Sequence, residues 1–167
     1  MRIDGFEFEL GASAGGLTFV RTPRGMIDLF KSRKDFELDV HDSSAGQKRM
    51  LSTAARFIAG ILLGEEMPPP PVDLSALGRF GRSALEATAS IPRGEVRSYA
   101  WVARVAGSPR GARAAGQAMR SNPLPLLVPC HRVVHSDGTP GGYGGSLALK
   151  KRLLESEGAG DLVAWRS

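Results

Sequence analysis

Residues 68 to 71 are four successive prolines, and no other feature limits the possible folds as strongly. Proline fixes φ and offers no backbone N–H, so the run cannot lie inside a helix or a central strand. It favours a stiff extended connector and divides the 167 residues into an N-terminal segment, residues 1–70, and a C-terminal segment, residues 71–167. That length suits one domain or two small ones. In the N-terminal segment, "FEFELG" and "LTFVRT" alternate as short strands do, and "FKSRKDFELDV" reads as a strand region of mixed polarity. "AGQKRMLSTAARFIAGILLG" reads as a helix ending at Gly64. The expectation for this segment is a small α/β domain without a catalytic constellation, with His41 in a surface loop.

After the prolines the pattern turns helical, which makes the chain α+β. "ALGRFGRSALEATAS" predicts a helix with Phe80, Ala84 and Ala87 on one side, and "IPRGEVR" a turn. Ser98 is placed to cap "YAWVARVA", and Gly107 to end it. "ARAAGQAMR" follows as a second helix that must stop near Ser121, because the residue before Pro123 is pushed out of the helical region. Two short helices across a glycine-containing turn read as a helix-turn-helix. Ordinary helical hairpins share that pattern. The second helix is poor in the long polar side chains that read a major groove, whereas a narrow minor groove needs small ones.

Charge is uneven. The net charge is +5. Residues 93–132 hold seven arginines (93, 97, 104, 110, 113, 120 and 132), no lysine and one acid, Glu95. Residues 1–46 hold eight acids and six bases. The positive field therefore leads into the single cysteine, Cys130, inside "PLPLLVPCHRVVHSDG". A lone cysteine excludes an internal disulfide and a multi-cysteine zinc knot, and it predicts a reducing compartment. The N-terminus lacks the apolar stretch of a secretory signal, and no apolar run is long enough for a membrane span. The expectation is a soluble, cytoplasmic protein that has no membrane partner. By itself Cys130 is either a small core hydrophobe or a nucleophile kept from partner thiols.

The segments "RSYAWVARVAGSPRGARAAGQAMRSNP", "VPCHRVV" and "GTPGGYGGSLALKKRLLESEG" follow one another between about Ile91 and Gly158. In order and spacing this stretch resembles the C-terminal domain of the O6-alkylguanine-DNA alkyltransferases, the methylated-DNA–protein-cysteine methyltransferase family. Two positions depart from the family's pattern: Gly81 follows Phe80 where a glutamine is usual, and Leu85 stands where a tryptophan is usual. The resemblance implies a ribonuclease H-like N-terminal α/β domain and a helical C-terminal domain with a winged helix-turn-helix. It implies a DNA repair methyltransferase, monomeric and without cofactor or metal. Its partner would be double-stranded DNA containing O6-alkylguanine, bound through the minor groove. Cys130 would be the alkyl acceptor, activated by His131 and Glu157, with Asn122 holding the turn beneath it. Tyr99 would sit over the flipped base. Arg113 would fill the hole in the base stack, on a DNA-binding helix that also presents Ala112, Ala114, Gly116 and Arg120. Met119, Val133, Tyr143, Gly144 and Gly145 would form the guanine pocket.

The residues fit that chemistry. Breaking an alkyl–oxygen bond at a saturated carbon suits a thiolate, and a thiol needs activation near neutral pH. Neighbouring residues on a strand point apart, so the expectation is a water between Cys130 and His131. The product thioether is irreversible, which predicts one turnover per molecule. A Cys-His-x-x-x-His metal site using His135 offers too few ligands. Phosphate-loop and dinucleotide motifs are absent from the sequence. Two rivals are a lesion binder without chemistry, against which Cys130 argues, and a transcription regulator, against which the bare second helix argues.

Overall fold

A computed structural model describes residues 2–3, 6–7, 9–21, 36–37, 44–144 and 146–165. His41, Gly145 and most of "FKSRKDFELDV" lie outside the described residues. The chain forms two compact units, residues 1–74 with 123–127 and residues 75–122 with 128–167.

In the first unit, β1 (Arg2–Ile3) pairs antiparallel with both β2 (Phe6–Glu7) and a later strand, Phe36–Glu37. β3 (Glu9–Ala12) and β4 (Leu17–Arg21) form an antiparallel hairpin, and Phe36–Glu37 is β5. α1 (Ala45–Leu63) starts at Ser44, whose hydroxyl accepts from the Gln47 N–H while the Gln47 side chain accepts from the Ser44 N–H, a capping box. It stops where expected, with Gly64 in the left-handed region at φ 77. The end of the proline run takes part in this unit. The Leu17 N–H donates to the Pro71 carbonyl at 3.0 Å, and the Asp73 N–H donates to the Leu17 carbonyl at 2.7 Å. Proline can accept at a sheet edge but cannot donate, so Pro71 contributes its carbonyl and the donor of the pair is the Asp73 N–H. Gly16 must be glycine there: its φ is +148, and a Cβ would lie 2.8 Å from the Val72 carbonyl carbon.

The second unit opens with α2 (Arg79–Ala89), which buries Ala84, Leu85, Ala87 and Thr88. Leu85 is thus a core residue, 1% exposed, in the place where the family's tryptophan is usual. β6 (Arg97–Ser98) runs directly into α3 (Tyr99–Val105), capped by Ser98, whose hydroxyl accepts from the Trp101 N–H at 3.1 Å. Gly107 adopts φ 83 just beyond that helix. α4 (Ala112–Arg120) buries Ala115, Ala118 and Met119 and leaves Arg113, Ala114, Gln117 and Arg120 at least partly exposed. The Thr88 hydroxyl donates to the Met119 sulfur, tying α4 to α2. β7 (Val133–Val134) pairs parallel with β6, and α5 (Leu147–Ser156) follows. Val134, Leu154, Ala159 and Val163 pack as one apolar cluster with Val96 and Trp165.

One local expectation is overturned. Cys130 does not lie on a strand; Cys130–Arg132 is a single 3-10 turn. Pro129, at φ −79 and ψ 62, makes an inverse γ-turn in which the Cys130 N–H donates to the Val128 carbonyl at 2.8 Å. The Arg132 N–H then donates to the Pro129 carbonyl at 2.9 Å. Among the described residues, no helix is long and apolar enough to cross a membrane.

Ser98 sets the first turn that carries Tyr99. Ser98→Ala is expected to cost about 1 kcal/mol, the usual worth of a lost N-cap. Both tryptophans, Trp101 and Trp165, lie in the second unit, so the shift is read as a lower denaturant midpoint in tryptophan fluorescence.

Candidate active site

The 3-10 turn presents Cys130 and His131 from adjacent positions, and other elements fix each of them. Cys130 is 7% exposed. Asn122, two residues beyond α4, donates its side-chain N–H to the Val128 carbonyl at 3.0 Å and to Cys130 Sγ at 3.3 Å. His131 is fully buried, and its Nε2 meets Glu157 Oε1 at 2.9 Å. Glu157 caps the C-terminus of α5. Its carboxylate also accepts from Arg132, at Oε2 from Nε (2.9 Å) and at Oε1 from Nη2 (2.8 Å). Arg132 Nη1 reaches on to the Ile91 carbonyl at 2.6 Å.

The electrostatics follow from burial and these partners. Burial would raise the Glu157 carboxyl, but the hydrogen bonds and charges of His131 and Arg132 outweigh it and hold the group at about 2. Burial pushes His131 below its ordinary value against the pull of Glu157, which favours neutral imidazole. With Nε2–H donated to Glu157, Nδ1 carries a lone pair, and it has no hydrogen-bond partner. Burial pushes the Cys130 thiol up, opposed by the Asn122 hydrogen bond and the Lys150 charge. The resting state is therefore thiol beside base, not preformed ion pair.

Lys150 is a site residue that sequence reasoning misses. It is 0% exposed on α5, and its ammonium donates to the Val133 carbonyl at 2.6 Å and to the Pro140 carbonyl. It thus pins the chain on both sides of the 134–139 turn. Burial lowers it to about 8. In the sequence it is half of a Lys-Lys pair that reads as an ordinary solvated helix face. Its one signal is position, three and four residues from the buried pair Leu153 and Leu154.

Cys130 opens on a cavity of about 320 Å³ lined by Tyr99, Gly116, Met119, Arg120, Gly142, Tyr143 and Gly144. A second cavity of about 310 Å³ shares Tyr99, Gly116 and Gly142 and adds Ala100, Ala112, Arg113, His135 and Ser136. Tyr99 stands in the wall of both, with its ring 5.1 Å from that of His135. Its hydroxyl comes so close to Gly141 that a Cβ there would lie 2.5 Å away. The structure thus brings Cys130, Tyr99, Met119, Tyr143, Gly144, Gly116 and Arg120 to one cavity, and Arg113 and Ala112 to its neighbour. Val133 lines neither; it is buried and offers its carbonyl to Lys150. Ala114 is exposed on α4 outside both linings. Gly145 lies outside the described residues. Among the described residues, no three His, Cys, Asp or Glu side chains are grouped to hold a metal ion.

The arginine-rich stretch is less uniform than its charge suggests. Arg132 turns inward to Glu157, Arg93 donates to the Ser156 carbonyl, and Arg97 pairs with Glu95 and lies over Trp101. Arg104, Arg110, Arg113 and Arg120 are the exposed remainder.

By fold this is a mixed helix and small-sheet protein similar to known DNA alkyltransferase structures. Mycobacterium tuberculosis OGT, solved in complex with DNA, superimposes with a TM-score of 0.68 at 29% identity over 93% of this chain and 88% of that one. An O6-methylguanine DNA methyltransferase from Methanococcus jannaschii gives 0.65 at 26% identity over 95% and 92%. The family model for the 6-O-methylguanine DNA methyltransferase DNA-binding domain matches residues 79–159. The methylated-DNA–protein-cysteine methyltransferase of Methanosarcina acetivorans is 34% identical over 80% of this chain and 84% of its own length. That of Methanothermobacter thermautotrophicus is 42% identical over 66% and 61%, and the human one 58% identical over 39% and 31%. The alignment thus spans less than two thirds of these last two relatives. The chain belongs to the methylated-DNA–protein-cysteine methyltransferase family.

The Glu157 carboxyl sits at about 2 against an ordinary 4.5. A depressed carboxyl adds stability above its unfolded value, and that stability is lost as pH falls through the folded one. Glu157→Gln is therefore expected to be less stable than the parent at pH 7, by about 3 kcal/mol as for a broken buried pair. The gap should close between about pH 4.5 and pH 2. Denaturant midpoints across that range check it; a gap independent of pH would mean the carboxylate charge is not what Arg132 and His131 hold.

Proposed function

We propose that this protein repairs double-stranded DNA by moving the alkyl group of O6-alkylguanine onto its own Cys130, once per molecule. The observation that carries the reading is the thiol at a cavity wall, hydrogen-bonded by Asn122 and adjoining a buried, neutral His131 that Glu157 orients. A thiol raised by burial needs a base at the moment of reaction, and His131 Nδ1 is such a base. Through one water it takes the S–H proton. The sulfur pair forms the S–C bond, the C–O6 bond breaks, and its pair passes to guanine. Tyr99 donates a proton to the departing ring and regains one through solvent, as His131 returns its own. The resulting thioether leaves Cys130 spent.

The target atom lies inside the duplex, so the base must be extruded at a cost of a few kcal/mol. The exposed face of α4, with Ala114 and Gly116 beside Arg113, suits the minor groove. Arg113 would occupy the vacated place in the stack while the base passes Tyr99 into the Cys130 cavity, among Met119, Tyr143 and Gly144. Exposed Arg120 would take a phosphate. In this reading the alkyltransferase and DNA-binding domain expected for residues 71–167, with a winged helix-turn-helix, is centred on the second unit, residues 75–122 and 128–167. Residues 1–70 are a ribonuclease H-like domain, and the protein works as a cytoplasmic monomer without cofactor. Val133 serves the pocket through the carbonyl that Lys150 holds.

Incubation with duplex DNA carrying labelled O6-methylguanine is expected to leave one label per protein on Cys130. Cys130→Ser should bind the same DNA and take none; label on that variant at the parent rate would overturn the reading. Arg113→Ala should slow repair of duplex DNA by tenfold or more and slow reaction with free O6-benzylguanine far less, because only the duplex requires extrusion. Equal losses on both substrates would exclude a role in extrusion.

A further inference from the structure

Two buried side-chain atoms among the described residues lack a hydrogen-bond partner, and they belong to neighbouring rings: His131 Nδ1 and the Tyr143 hydroxyl. The rings meet edge-on, 6.1 Å between centroids and 86° between planes. Buried polar atoms without partners are costly and rare in folded proteins, so two in one place call for a shared partner. Cys130 and Tyr143 line one cavity wall. Burial pushes the Tyr143 hydroxyl well above its ordinary value, and negative charge at Cys130 or Glu157 adds to that, so it stays protonated. Tyr143 is thus a permanent donor and His131 Nδ1, in its neutral form, an acceptor.

We infer that the Tyr143 hydroxyl is a positioning residue for the thiol proton: it donates to the same water that links Cys130 to His131 Nδ1. This rests on the base role of His131 proposed above. The bond count closes in both states. Before transfer, the water accepts from the Tyr143 O–H and the Cys130 S–H and donates to His131 Nδ1. After proton movement, it accepts from the Tyr143 O–H and the His131 Nδ1–H and donates to the thiolate. No proton leaves Tyr143 and none is gained. Buried waters typically make about three hydrogen bonds, and this one makes three throughout. Without the hydroxyl, the water keeps two partners and is a poorer donor to sulfur, so the thiolate becomes harder to form.

The test uses a small reagent, so that it stands apart from the DNA reading. The rate of Cys130 alkylation by iodoacetamide is measured against pH in the full chain and in Tyr143→Phe, which keeps the ring. The expected result is a half-maximal pH about one unit higher in the variant, or about tenfold less reactive thiolate at neutral pH. Affinity for O6-methylguanine duplex DNA is compared between Cys130→Ser and Cys130→Ser with Tyr143→Phe, because the same ring lines the cavity. A superimposable pH profile would overturn the proposal. So would weakened DNA binding with an unmoved profile, because the hydroxyl would then face the guanine. Failure of labelled DNA to react at all, with the iodoacetamide shift present, would count against the repair reading and leave the proton network standing.

Discussion

Everything near the thiol depends on one buried carboxylate. Glu157 gathers three hydrogen bonds, one involving the imidazole of His131 and two from the guanidinium of Arg132. A carboxylate is tolerable away from water only when its charge is matched and its lone pairs are used. Here the matching groups come from the Cys130–Arg132 turn, while the carboxylate itself ends α5. Arg132 passes the tie on to the Ile91 carbonyl, just after α2. One ion pair therefore fixes the turn that presents the sulfur against the two helices that flank it. The same pair makes His131 specific: an imidazole committed at Nε2 has one atom left for chemistry.

That arrangement separates two demands that usually conflict. A reactive sulfur wants charge stabilisation, and a stable core wants none. Burial settles the conflict toward the neutral thiol at rest, with the Asn122 amide and the Lys150 ammonium offsetting some of the penalty. Lys150 is itself lowered by burial and is held by two carbonyls. Its charge therefore serves structure first, and acts on the sulfur only as a field.

The sequence is most legible where a single residue's backbone preference decides the outcome. Gly64 ends α1, Ser98 starts α3, and the approach of Pro123 stops α4. Cys130, His131, Asn122 and Glu157 are legible as a group through the resemblance of their segments to the alkyltransferase family. What escapes is direction. Arg132 counts toward a positive surface in the sequence, yet it turns inward, because a buried carboxylate holds a planar fork of donors more tightly than solvent does. Lys150 looks like half of a solvated pair, since only its spacing from Leu153 and Leu154 sets it apart from Lys151. The strand expected at Cys130 is a 3-10 turn because Pro129 adopts an inverse γ-turn in place of continued extension. The pairing of Pro71–Asp73 with Leu17 joins residues far apart in sequence, which no local pattern announces.

The Asn122 amide divides itself between two acceptors, a peptide carbonyl and a sulfur. The carbonyl of Val128 is fixed by the backbone; in the proposed reaction the sulfur is the acceptor whose substituent changes. If it takes an alkyl group as proposed, it becomes bulkier, and the amide is crowded toward the peptide carbonyl. Asn122 follows α4 by two residues, so this shift is recorded at the foot of the helix that would lie on DNA. On that reading, a change at the sulfur reaches the end of α4 through a single side chain.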